Sequence, residues 1–95
     1  MPTCLVERLL PGADLESLAT LCRAAEDVCR AFAAAGKPVR YVRSTFTPGE
    51  SRCRCLFEAA KGDLVQDVND VAQLPYSRIL LAVELSPAQS RERPP

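Results

Sequence analysis

Two β-rich segments in the middle of the chain, Val39 to Thr47 (VRYVRSTFT) and Cys53 to Ala59 (CRCLFEA), are separated by little more than Pro48-Gly49-Glu50. So short a turn sends the second segment back along the first as the return strand of a hairpin. Each side of this hairpin carries a helical pattern and then a further β-rich segment. Upstream, Leu15, Leu18, Cys22, Ala25, Cys29 and Phe32 recur at three- and four-residue spacing, the mark of one apolar helical stripe. Asp14 stands where its N-cap belongs, and Gly36 followed by Lys37-Pro38 is a stop. Thr3 to Leu10 (TCLVERLL) reads as a first strand closed by Pro11-Gly12. Downstream, Asp63 with Gln66 resembles a capping box before a stripe of Leu64, Val65, Val68, Val71 and Ala72, ended by Pro75. Ser77 to Leu85 (SRILLAVEL) is the last strand.

The resulting order is β-α-β-β-α-β, two strand-helix-strand halves within about 85 residues. The fold class expected is α+β, a ferredoxin-like sandwich of one four-stranded sheet with two helices on one face. Residues 1–85 form one domain, and the polar, Pro-rich stretch Ser86 to Pro95 (SPAQSRERPP) is expected to be a disordered tail. Strands one and three are expected at the centre, parallel to each other, with strands two and four at the edges. Ninety-five residues are near the lower limit for such a sheet, and its helix-free face stays bare unless a second copy covers it. A face-to-face dimer of the α+β barrel type follows as an expectation.

Side chains alternate across a sheet with period two. Cys4 and Val6, Cys53, Cys55 and Phe57, and Ile79, Leu81, Val83 and Leu85 are the apolar sets expected toward the helices. The open face then holds Leu5, Leu56, Leu80 and Ala82 mixed with Glu7, Arg54, Glu58 and Glu84. Strand two is ambiguous, but placing Val42 inward adds Tyr41 and Arg43 to the open face. This face is too apolar to stay wet and too polar for an ordinary core.

Twelve Lys and Arg against twelve Asp and Glu give no basic field for nucleic acid or a membrane surface. No apolar run approaches spanning length and no charged-then-apolar leader is visible, so the cytoplasm is the expected compartment. Five cysteines in such a context are read as free thiols. The chain has no histidine, which removes the commonest metal ligand, the commonest general base and every Cys-His or Ser-His nucleophile pair.

Candidate ligand-binding residues are therefore Glu7, Tyr41, Arg43, Glu58 and Glu84 on the open face. Glu7 and Glu58 are the candidate ligands for a divalent metal ion. The competing explanation for these carboxylates is an ion-pair network with Arg43 and Arg54 that fixes dimer register. Cys53-Arg54-Cys55 places two thiols on one side of a strand, and Cys4 on a neighbouring strand makes an alternative soft-metal or redox site. Free cysteine is more often a small core hydrophobe, and Cys22 and Cys29 on the helical stripe fit that role.

The phrases LVERLLPG (Leu5 to Gly12), RYVRSTFTPGE (Arg40 to Glu50), CRCLFEA (Cys53 to Ala59) and LPYSRI (Leu74 to Ile79) resemble a family of small bacterial proteins of unassigned function that includes nickel-binding and nickel-responsive members. The resemblance covers nearly the whole chain except the tail. It implies a ferredoxin-like fold and a homodimer joined sheet to sheet. Because nickel sites draw on imidazole or thiolate, no nickel ligand carries over residue by residue to a chain without histidine.

The leading expectation is a non-catalytic cytosolic dimer that binds a metal ion or small ligand between its sheets. The rival is a small cofactor-free enzyme of the dimeric α+β barrel type, of the monooxygenase or isomerase class, an analogy at the level of fold. A third reading is a regulatory protein whose open sheet binds another protein.

Overall fold

The structure, a computed structural model, describes residues 1–87. The expected tail falls largely outside the described residues. Elements run β1 (Thr3–Leu9), α1 (Leu15–Ala34), β2 (Val39–Thr47), β3 (Arg52–Ala59), α2 (Asp63–Val71) and β4 (Arg78–Ala82). The fold is ferredoxin-like, with strand order β2-β3-β1-β4. Every neighbouring pair is antiparallel, including β1 with β3. This corrects the expected parallel centre: the hairpin reverses β3 relative to β2, and the crossover through α1 leaves β2 parallel to β1 with β3 between them.

Helix α1 starts where the sequence marks it. Asp14 accepts a hydrogen bond from the Ser17 backbone N–H at 2.8 Å, while the Asp14 N–H donates to Ser17 Oγ at 3.1 Å. This reciprocal pair meets two of the donors a helix start leaves unpaired. The helix ends in a Schellman motif. Gly36 takes a left-handed φ of 81°, Lys37 N–H reaches Phe32 O at 2.9 Å and Gly36 N–H reaches Ala33 O at 3.1 Å. The expected stripe holds in part: Ala25 and Cys29 are buried, Phe32 packs on the core and Leu18 and Cys22 are half-buried. Leu21 joins the buried set, whereas Leu15 in the first turn is 86% exposed.

Helix α2 begins without the expected capping box: Gly62 is its N-cap and Asp63 is already helical. It buries Val65, Val68 and Asn69 and is only nine residues long. Strand β4 is shorter than expected and ends at Ala82. Ile79 packs on the core, but Leu81, Val83 and Leu85 stay exposed beside a short α2 that ends at Val71.

The core lies between the helices and one sheet face. It contains Cys4 and Val6 of β1, Cys53, Cys55, Phe57 and Ala59 of β3, Val39 of β2, and the buried residues of both helices. Strands β1 and β3 alternate as the sequence predicts. Strand β2 does not, because its register with β3 shifts between Tyr41 and Arg43. This β-bulge makes Val42 the extra residue and puts Tyr41 opposite Phe57 but Arg43 opposite Leu56. Among the described residues no helix is long and apolar enough to cross a membrane.

Candidate functional site

The open face is organised by arginine. Glu7 of β1 lies opposite Arg54 of β3 and Arg78 of β4 and is only 6% exposed. Arg54 Nε donates to Glu7 Oε2 at 3.2 Å, Arg78 Nε donates to Oε1, and Arg52 Nη1 stands 4.0 Å from Oε2. The Arg78 hydrogen bond, helped by the charges of Arg78, Arg54 and Arg52, holds the Glu7 carboxyl below the usual glutamate range against the opposing effect of desolvation. A carboxylate that works as an acid or base at neutral pH needs the opposite shift.

The other expected carboxylates are also engaged. Glu58 accepts from Arg40 of the neighbouring strand, with Nε at 3.0 Å. Glu84, beyond the end of β4, pairs with Arg43 on β2 at the opposite edge of the sheet. That pair bridges the open face beside Leu5 and Leu56, where a hollow of about 280 Å³ is also lined by Thr45 and Arg54. Arg54 Nη2 further approaches Glu50 at 3.9 Å. Among the described residues, five open-face arginines (Arg40, Arg43, Arg52, Arg54 and Arg78) thus stand around Glu7, Glu58 and Glu84, with Glu50 at the margin.

Tyr41 does not belong to this face. The bulge turns it toward α1, where its ring meets Phe57 edge-on at 5.5 Å and its hydroxyl donates to Cys22 Sγ at 3.1 Å. It also lies 2.7 Å from Ser44 Oγ. Burial and the Cys22 contact push its phenol well above the usual range.

The thiols regroup as well. Cys53 and Cys55 approach to 3.7 Å between sulfurs, but Cys4 lies opposite Phe57 and is buried without joining them. Cys55 instead meets Ser44 and Arg8. Burial raises Cys53 to about 12 and Cys29 to about 11. Arg8, absent from every sequence-based candidate set, is wholly buried on the helix side. The signal was its parity with Cys4 and Val6 along β1.

The fit of a divalent ion can be judged from these placements. Glu7 and Glu58 face the same way but lie four strand positions apart in register, about 13 Å at 3.3 Å per residue, each already paired to arginine. No group of three or more Cys, Asp, Glu or His side chains among the described residues is placed to hold a metal ion. Within one chain, Glu7 and Glu58 do not fit as ligands of a bare divalent cation.

The profile of the nickel-responsive SCO4226-like proteins matches residues 5–81. This chain belongs to that family. The crystal structure of SCO4226 from Streptomyces coelicolor A3(2) is similar in fold, with a TM-score of 0.73 at 21% identity, covering 88% of this chain and 98% of that one. No curated protein matches the chain. The match runs from β1 into β4 and includes Glu7, Glu58, the open-face arginines and the thiol cluster behind them, while Glu84 lies beyond it.

Proposed function

We propose that this chain is a small cytosolic binding protein that pairs with a second copy sheet to sheet and encloses a small anionic ligand between the two open faces. The surplus of arginine on the open face carries this reading. Stacking two such faces doubles the surplus while removing water, and enclosed charge needs a compensating partner. Arg43, held by Glu84, is the central ligand-facing residue, and Glu7 holds the Arg54 guanidinium that lines the same hollow. Glu58 and Arg40 form a pair at the margin.

For that second copy the face alone is a modest interface. Four strands about 4.8 Å apart and some seven residues long cover roughly 450 Å² per protomer, about 900 Å² in a dimer. A stable complex usually buries more than about 1,200 Å², so ligand and dimer are expected to support one another. Five cysteines without a disulfide suit a reducing compartment. The family's nickel response enters this reading as a link to metal physiology, not as an ion held by Glu7 and Glu58.

Native mass spectrometry of the purified protein tests the proposal, with phosphate, citrate or nickel salts added in parallel. A dimer that gains the mass of an anion supports it. A monomer under all conditions, or a dimer that gains nickel alone and loses it in Glu7→Gln with Glu58→Gln, overturns it.

A further inference from the structure

The most unusual group outside the open face is Arg8. It is 0% exposed and no carboxylate among the described residues pairs with it. Its Nε donates to Cys55 Sγ at 3.3 Å and its Nη1 to Pro75 O at 3.1 Å, while Nη2 has no partner. A buried guanidinium cannot shed its proton, so the neighbourhood must supply the balancing charge.

The hydrogen bonds around Cys55 show which atom can supply it. Ser44 Oγ donates to Cys55 Sγ at 2.8 Å. Cys53, whose thiol burial holds in the protonated form, stands 3.7 Å away as a further donor. Beyond Ser44, the Cys22 thiol donates to its hydroxyl oxygen at 3.6 Å and Tyr41 lies beside both. Each neighbour from β1, β2 and β3 therefore offers a proton to Cys55 Sγ, and α1 supports them from behind. A sulfur ringed by donors with a fixed cation against it is the environment that favours a thiolate.

We propose that Cys55 is a thiolate with Arg8 as its buried counter-ion, an ion pair closed inside the core between the sheet and the helices. The pair lies on the opposite side of the sheet from the proposed anion-binding face and is independent of it.

The near-ultraviolet absorption of thiolate, followed in the full reduced chain as pH is varied, reads the charge directly. The wild-type protein is expected to show the absorption of about one thiolate per chain at neutral pH. The band should vanish in Cys55→Ser and in Arg8→Met, and persist in Cys53→Ser and in Arg8→Lys. Absence of the band from the wild type at neutral pH, or its survival in Cys55→Ser, overturns the assignment. Should Arg8→Met fail to fold, the wild-type and Cys55→Ser spectra still decide the question. Both tyrosines stay protonated at neutral pH and do not contribute.

Discussion

Tyr41 meets Phe57 edge-on across the β2-β3 pair, with ring centroids 5.5 Å apart and planes inclined by 72°. The contact exists because one extra residue, Val42, interrupts the alternation of β2. Edge-to-face pairs add modestly to the area both rings bury, and the Tyr41 hydroxyl adds contacts to Cys22 and Ser44. Tyr41→Phe keeps the ring and removes only the hydroxyl. It is expected to lower stability by about 1–2 kcal/mol, as loss of a partly buried hydrogen-bonding group does. Urea unfolding monitored by circular dichroism checks this, and an unchanged midpoint would show that the hydroxyl contributes nothing.

The bulge itself is open to a second measurement. Deleting Val42 leaves Tyr41 opposite Phe57, Arg43 opposite Leu56 and Ser44 opposite Cys55, so every flanking side chain keeps its face in a regular ladder. The deletion variant is therefore expected to fold and to unfold cooperatively, as Val42→Ala should. Loss of cooperative unfolding in the deletion variant, followed by circular dichroism in urea, would show that Val42 does more than space the strand.

These two cases mark what the sequence reveals and what it does not. The faces of Cys4, Val6, Cys53, Cys55 and Phe57 are legible because period-two alternation holds without interruption in β1 and β3. The face of Tyr41 is not, since no Gly or Pro marks the bulge and Tyr-Val-Arg-Ser reads equally well in either register. Arg8 shares the parity of Cys4 and Val6, so its inward position follows from the same rule. Charge ordinarily argues against burial, so alternation alone does not single out an arginine as a core residue. The exposure of Leu81 accompanies a short α2 that ends at Val71, ahead of the Pro75 that reads in the sequence as its stop. On the open face, Glu7, Glu58 and Glu84 lie on the expected side, but only the register reveals that an arginine pairs with each.

Glu7 gives the fold a defined acid response. Its carboxyl is held below the ordinary glutamate value, first by Arg78 and then by Arg54 and Arg52. A depressed folded-state value means that the stabilisation is fully present above the unfolded value of about 4.3. It is lost as pH falls from there through the lower folded value. Wild-type stability is therefore expected to decline between about pH 5 and pH 3, and Glu7→Gln should remove part of that slope. Chemical unfolding at successive pH values tests this, and identical slopes in the two proteins would count against the arginine pairing.

Leu56 offers the most direct probe of the proposed sheet-to-sheet dimer. It lies on the open face opposite Leu5 and Arg43, and is already 8% exposed within a single chain. Leu56→Asp puts a carboxylate there, beside Arg43 and Arg54, where it has cations to pair with in the monomer. The fold should therefore tolerate it better than an acid in the core between helices and sheet. In a face-to-face dimer the same residue removes apolar contact near the interface and neutralises part of the arginine surplus proposed to draw the anion. Dimerisation and anion uptake should fall together, by tenfold or more for a loss of about 1.4 kcal/mol. Analytical ultracentrifugation with and without phosphate reads both effects. If Leu56→Asp dimerises as the wild type does while circular dichroism confirms its fold, the open face is not the interface. The arginine surplus would then face solvent and need no enclosed ligand.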